Sequence, residues 1–466
     1  MISRRPLLLG AAAAALASSA HAQTLTDFLG EWFGALDLGS QRLRLRLVVE
    51  EGPRATLYSI DQGNAAIPVG ETRVEADRLT LSIPAIGAGF EGRLVDGRIS
   101  GTFTQRGALP LTFAREQPSE AAAPAEALTQ ARLNALRTAA SAPALAAAAA
   151  NRDGRSIALA DGLRAVGRAE AVTTSDKWHL GSITKSMTAT LVARAVEAGA
   201  VQWSDTVGGV LGGAIPDMRA EYREATFRHL LSHRAGLKAN IDIVQLMAFP
   251  RESADARTDR IAYARLGLLQ EPAGPREQTF EYSNTGYVIA GAMLEAKLGA
   301  PWEALIAEHV FNPLGMAGAG QGAPGAPGAY DQPVGHAPNP AGQLTPYPPG
   351  GLITDNPAAL GPAGRVHAPF ADVLRYLAVH RDRTAFLRRE SWDMLHLPPF
   401  GGPYAMGWAR RGDALWHNGS NTLWYAEVMF DPARGIVCAA AANDGRAGEM
   451  GAPVGGALLG AGAAVS

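Results

Sequence analysis

The chain has 466 residues, 47% hydrophobic and 18% charged, so most of it is built to bury a core and extensive disorder is excluded. Lys+Arg 42 against Asp+Glu 44 gives a net charge of −2, without the basic excess that an electrostatic nucleic-acid binder needs. The single cysteine, Cys438, excludes an internal disulfide and any multi-cysteine zinc or iron–sulfur site.

Residues 1–22 read as a signal peptide. Arg4-Arg5 is followed by an Ala-rich apolar run and Ala20-His21-Ala22, an Ala-x-Ala site for cleavage after Ala22. The paired Arg resembles a twin-arginine export signal, with an ordinary Sec signal as the alternative, and either implies a periplasmic or secreted location. No second apolar run is long enough to span a bilayer, so no integral membrane segment is expected after removal of the signal.

From 23 to 117 the pattern has period two. Arg42-Leu43-Arg44-Leu45-Arg46-Leu47 puts Leu on one face and Arg on the other, and Gly52-Pro53, Asp61-Gln62-Gly63 and Asp96-Gly97 punctuate further short runs. This predicts a small all-β accessory domain, a barrel or a sandwich. It holds no Lys, Cys or His and no clustered nucleophile. Residues 118–128 are Ala/Pro-rich and read as a linker. A helix is expected over Ala127 to Arg137, then a hairpin turning at Asn151-Arg152-Asp153-Gly154-Arg155.

Residues 129–466 mix helical and strand patterns. Helices are predicted over Thr184 to Glu197, Arg257 to Leu269 and Val288 to Leu298. Ala426 to Phe430 and Ile436 to Ala441 form a late hairpin around Asp431-Pro432. Ala317 to Gly351 is rich in Gly and Pro and has little periodicity, as expected of a functional lid or a disordered segment.

Lysine is rare here: Lys177, Lys185, Lys238 and Lys297 are the only four among 42 basic residues. One of them stands three residues after a serine in Gly181-Ser182-Ile183-Thr184-Lys185. On a helix those side chains share a face, so the Ser182 hydroxyl and the Lys185 amine can meet. A helix N-terminus at Ser182 would favour a neutral amine able to act as a base. A capping Ser followed by a solvated Lys would look the same, so the pair needs company. It has Glu281-Tyr282-Ser283-Asn284 downstream and then His417-Asn418-Gly419-Ser420.

In these three motifs, in this order, the chain resembles the serine β-lactamase and penicillin-binding-protein superfamily, most closely class C β-lactamase-related esterases and D-amino-acid peptidases. Leu230 to Leu237, Phe311 to Met316 and Tyr404 to Trp408 look similar too, and the resemblance covers about Ala142 to Asp444. It implies an α+β fold: an α/β/α domain with a central antiparallel sheet, preceded here by the small all-β domain. It also implies an acyl-enzyme mechanism with Ser182 as nucleophile, Lys185 as its activating partner and Tyr282 as proton shuttle. A cationic Lys185 would lower the Tyr282 pKa for that task. Asn284 would orient Lys185 and substrate, and the N–H groups of Ser182 and Ser420 would form the oxyanion hole.

The third motif departs from the Lys-Thr-Gly usual in β-lactamases. His417 stands at the lysine, ahead of Gly419. If His417 titrates near the ordinary 6.5, its protonated ring would bind a substrate carboxylate; the alternative is a hydrogen-bonding strand residue that supports Tyr282. Ester, D-alanyl peptide and β-lactam substrates all remain open, with no cofactor and no metal, and the oligomeric state is not legible. The competing reading is a non-catalytic sensor or scaffold that keeps the fold and binds penicillin or peptidoglycan. His229 and His233 have the i, i+4 spacing of a zinc protease but lack its glutamate. Cys438 reads as a packed, inert thiol.

Overall fold

The computed structural model describes residues 25–37, 42–52, 54–60, 65–105, 107–116, 125–351 and 353–466. The signal segment and most of the linker lie outside the described residues. The chain divides into two compact units, one made mainly of the N-terminal strands and the other of the chain from residue 125 onward.

Among the described residues, the N-terminal strands form a single nine-stranded sheet rather than two packed sheets. Its strands are β1 (Gly30–Asp37), β2 (Arg42–Glu50), β3 (Arg54–Ser59), β4 (Ala65–Pro68), β5 (Glu71–Glu75), β6 (Arg78–Ile83), β7 (Ala88–Val95), β8 (Arg98–Thr104) and β9 (Ala108–Ala114), in the order β4-β3-β2-β1-β9-β8-β7-β6-β5. Alternation decides the faces. Leu45, Leu47 and Val49 are buried, while Arg46 between them covers the Tyr58 ring and pairs with Glu31.

The larger unit opens with α1 (Gln130–Ala139), which starts three residues later than Ala127 because the Thr129 side chain caps it by accepting from Arg132 N–H. Then come β10 (Ala144–Asn151), β11 (Ser156–Gly162), β12 (Lys177–His179), α2 (Thr184–Glu197), α3 (Ala256–Leu269) and α4 (Asn284–Leu298). α4 starts four residues before the predicted Val288, because Ser283 Oγ accepts from Gly286 N–H and caps it inside the second motif. The Gly/Pro-rich stretch is less irregular than its composition suggests: strand Gly335–Pro338 pairs with strand Leu344–Tyr347.

The chain continues through β13 (Val366–Pro369), α5 (Phe370–Asp382), β14 (Ala409–Arg411), β15 (Ala414–Ser420), β16 (Tyr425–Asp431), β17 (Ile436–Ala442) and α6 (Ala447–Val465). The central antiparallel sheet has the order β11-β10-β17-β16-β15-β14. Its two faces meet different helices. Ala146 and Ala148 of β10 join a core with Val373 and Leu377 of α5, while Leu145, Ala147 and Ala149 join another with Val454 and Leu458 of α6. A strand buried on both faces can be nearly all alanine, because small side chains let the flanking helices come close. This is the α/β/α layering expected from the sequence. Cys438, on β17, is wholly buried and its thiol is pushed up to about 12 by that burial.

Candidate active site

The Ser182 turn is a single 3-10 turn, Gly181–Ile183, that runs directly into α2. The three-residue spacing places Lys185 Nζ 2.9 Å from Ser182 Oγ. Nζ also lies 2.6 Å from Asn284 Oδ1 and 2.8 Å from the Ala363 carbonyl oxygen. Lys185 is wholly buried, and burial pushes its pKa well below the ordinary lysine value. The helix end need not be invoked. A neutral amine has two N–H groups and one lone pair. Asn284 Oδ1 and the Ala363 carbonyl only accept, so they take the two N–H groups and leave the lone pair for the Ser182 hydroxyl hydrogen. The Asn284 orientation is set independently, since its Nδ2 donates to Asn240 Oδ1 at 2.8 Å.

Tyr282 interacts with Ser182 through its hydroxyl, and its ring centroid lies 4.9 Å from Lys185 Nζ. The expectation that a cationic lysine would lower this phenol's pKa is not met. Burial dominates and pushes it upward, because desolvation penalises the phenolate. Burial therefore favours the neutral form of both groups. The Tyr282 ring lies 4.3 Å from the His233 ring, and the Tyr404 ring lies 4.7 Å from the same imidazole.

His417 sits on β15 with 2% of its surface exposed. Its Nδ1–H donates to the Asn418 carbonyl, which leaves Nε2 to accept from the Tyr404 hydroxyl at 3.0 Å. Burial, and then proximity to Lys185, pushes its pKa down to about 3. Of the two roles the sequence leaves open for His417, a carboxylate-binding cation and a hydrogen-bonding strand residue, this favours the second: the imidazole is neutral, because burial penalises the charged ring.

Gly419 and Gly181 explain how β15 meets the Ser182 turn. A Cβ on Gly419 would stand 2.0 Å from the Leu180 carbonyl oxygen and 2.6 Å from Ser182 N. A Cβ on Gly181, whose φ is +50°, would stand 2.5 Å from Ser420 N. Both positions need glycine because two backbone segments touch there. That contact sets the main chain of Ser182 against that of Gly419 and Ser420.

The structure thus brings Ser182, Lys185, Tyr282, Asn284, His417, Gly419 and Ser420 into one site. Sequence reasoning missed Ala363, which contributes only a carbonyl and so leaves no side-chain signal. It also missed Tyr404, although Tyr404 lies in one of the stretches that resemble the family. His229 and His233 serve separate partners. His229 caps Thr226 and reaches Glu277 at 2.9 Å, whereas His233 Nδ1 accepts from Ser283 N–H at 3.0 Å.

Residues 131–458 match the Beta-lactamase family model. Penicillin-binding protein 4 of Amycolatopsis lactamdurans is 29% identical over 341 residues, spanning 68% of this chain and 84% of that protein. Among solved structures, the octameric penicillin-binding protein homologue from Pyrococcus abyssi aligns with a TM-score of 0.57 at 22% identity, over 70% of this chain and 76% of its own. The D-amino acid amidase of Ochrobactrum anthropi SV3, in complex with L-phenylalanine amide, aligns at 0.57 and 20% identity, over 71% of this chain and 96% of its own. Motif order, α/β/α fold and family match agree: the chain belongs to the Beta-lactamase family, within the superfamily of serine β-lactamases and penicillin-binding proteins.

Proposed function

We propose that the protein is an exported serine hydrolase that cleaves an ester or amide, such as a D-alanyl peptide or a β-lactam-like ring, through an acyl-enzyme on Ser182. The observation that carries this reading is the Lys185 amine, which has two acceptor-only partners and its remaining valence directed at Ser182 Oγ. A purely structural lysine gains nothing from complete burial in neutral form, at a cost of about 1.4 kcal/mol for each unit of pKa shift. The signal-like residues 1–22 support export to the periplasm or beyond.

In the proposed reaction the Ser182 proton moves to Lys185 Nζ as Oγ bonds the substrate carbonyl carbon. The carbonyl oxygen becomes an oxyanion facing the N–H groups of Ser182 and Ser420. On collapse the bond to the leaving group breaks. The leaving nitrogen or oxygen takes the Tyr282 hydroxyl proton, and the phenol is reprotonated from the Lys185 ammonium. Water then attacks the acyl ester by the reverse relay. A phenol with a raised pKa suits this role, since it holds its proton until the leaving group demands it. With His417 neutral, the third motif supplies a hydrogen-bonded wall rather than a cation. That supports uncharged amides and esters alongside carboxylated substrates.

A fluorophosphonate and a fluorescent penicillin test the reading together. A covalent adduct mapped to Ser182, with turnover on p-nitrophenyl esters, nitrocefin or D-alanyl peptides, is expected. If no electrophile modifies Ser182, the non-catalytic binding reading replaces this one.

A further inference from the structure

We propose that Asp355 is a positioning residue: its buried carboxylate ties together the three backbone segments that carry the oxyanion donors and the Lys185 acceptor. The inference rests on the reading of Ser182 as the nucleophile. Asp355 lies just beyond the Gly/Pro-rich stretch, and its carboxylate is 2% exposed. Nothing in the three sequence motifs points to it.

Besides accepting from the adjacent Asn356 N–H at 2.6 Å, this carboxylate makes three side-chain contacts, each leading to a catalytic neighbour. His179 Nε2 lies 3.0 Å from Asp355 Oδ1, and His179 Nδ1 accepts from the N–H of Gly181, the residue before Ser182, at 3.1 Å. That acceptor role at Nδ1 puts the ring hydrogen on Nε2, the nitrogen beside the carboxylate. Asn421, the residue after Ser420, donates from Nδ2 to Asp355 Oδ1 at 3.0 Å. Its own Oδ1 takes the N–H groups of Leu423 and Trp424, each at 3.2 Å, so the amide cannot turn over. Arg365, two residues after Ala363, donates from Nε to Asp355 Oδ2 at 3.2 Å.

One carboxylate therefore reaches the Ser182 turn, the end of β15 and the segment whose carbonyl accepts from Lys185. The charge is stable: its partners hold the carboxyl pKa down at about 2 despite burial. An ion pair with Arg365 alone would serve stability without His179 or Asn421. The convergence on both donor segments is what a positioning role requires, because an oxyanion hole works only when its donors are preorganised.

Thiono substitution separates the two roles. Sulfur accepts hydrogen bonds poorly, so a preorganised oxyanion hole favours an ester over its thionoester. Acylation of Ser182 by p-nitrophenyl acetate and by the matching thionoester is measured for the full chain, Asp355→Asn and Asn421→Ala. For both variants we expect the ester acylation rate to fall at least about tenfold, KM to change less than about threefold, and the ester-to-thionoester ratio to shrink. Asn421→Ala leaves the carboxylate and its Arg365 and His179 contacts in place, removes the Asn421 tie together with the acceptor for the Leu423 and Trp424 N–H groups, and carries the test if Asp355→Asn does not fold. Unchanged rates, or equal losses on ester and thionoester, would overturn the positioning role and leave a structural ion pair. Failure of the wild-type chain to acylate at Ser182 is a separate result, and it would remove the hydrolase reading and this one together.

Discussion

His417 Nε2 accepts from the Tyr404 hydroxyl at 3.0 Å, and the ring that makes this bond is buried and neutral down to about pH 3. The position that carries a cation in Lys-Thr-Gly β-lactamases thus holds a hydrogen-bonding group. Kinetics can read the difference. KM for a carboxylated substrate and for a neutral ester should run parallel between about pH 5.5 and 7.5, since His417 does not change charge in that window. A carboxylate-specific rise in KM across it would show that the ring titrates. His417→Phe removes the acceptor for Tyr404 and should lower kcat on both substrate types by a similar factor.

Ser182→Ala should abolish covalent labelling and turnover, and Lys185→Ala should lower kcat by about three powers of ten, because the base is lost while the nucleophile remains. The pH profile carries a sign. Lys185 has its pKa lowered by burial, so it is neutral and active on the alkaline side and becomes protonated as pH falls through that lowered value. Activity should therefore fall on the acid limb and hold steady toward higher pH until other groups titrate. Retention of more than a few per cent of activity by Ser182→Ala on an established substrate would contradict the assignment.

Gly419→Ala should be far more damaging than its single methyl suggests. The added Cβ would lie 2.0 Å from a main-chain oxygen at Leu180, and no side-chain rotation relieves a clash with backbone. β15 must move away from the Ser182 turn, which separates the N–H groups of Ser182 and Ser420. We expect kcat/KM to fall by about 10² or more, the loss typical of one oxyanion donor, while the circular dichroism spectrum stays that of the wild type. Near-normal kinetics would mean that the two segments tolerate separation.

Acid should destabilise the fold before the carboxylates titrate. Burial lowers the pKa of His233 and His380 well below 6.5, of His367 to about 4, and of His396 and His417 to about 3. The unfolded chain takes up these protons near pH 6.5 and the folded chain does not, so stability is lost as pH drops from there toward 4. With about 1.4 kcal/mol for each shifted unit, Tm should fall by more than about 5 °C between pH 7.5 and 4.5. A flat Tm in differential scanning calorimetry over that range would show that these rings are protonated in the native state.

The local chemistry of this protein was legible in its residues. A scarce lysine three positions after a serine is legible from helical spacing, a property of neighbouring residues, whereas the Tyr-x-Asn and His-x-Gly that join it were legible only through the resemblance to the serine β-lactamase and penicillin-binding-protein superfamily. α2 runs over the same Thr184–Glu197 span that its pattern predicted. The alternating Leu and Arg of β2 likewise announced a strand with a dry face.

What only the tertiary structure decided is the charge state of those groups and the identity of their supports. Lys185, Tyr282 and His417 have ordinary pKa values in water, and each is shifted by what surrounds it, not by what adjoins it in sequence. Ala363 contributes a carbonyl that any residue would offer, and Asp355 gathers His179, Asn421 and Arg365 from separate stretches of chain. Desolvation and convergence are long-range quantities. They arise when distant segments exclude water from one point, and no window of sequence holds that information.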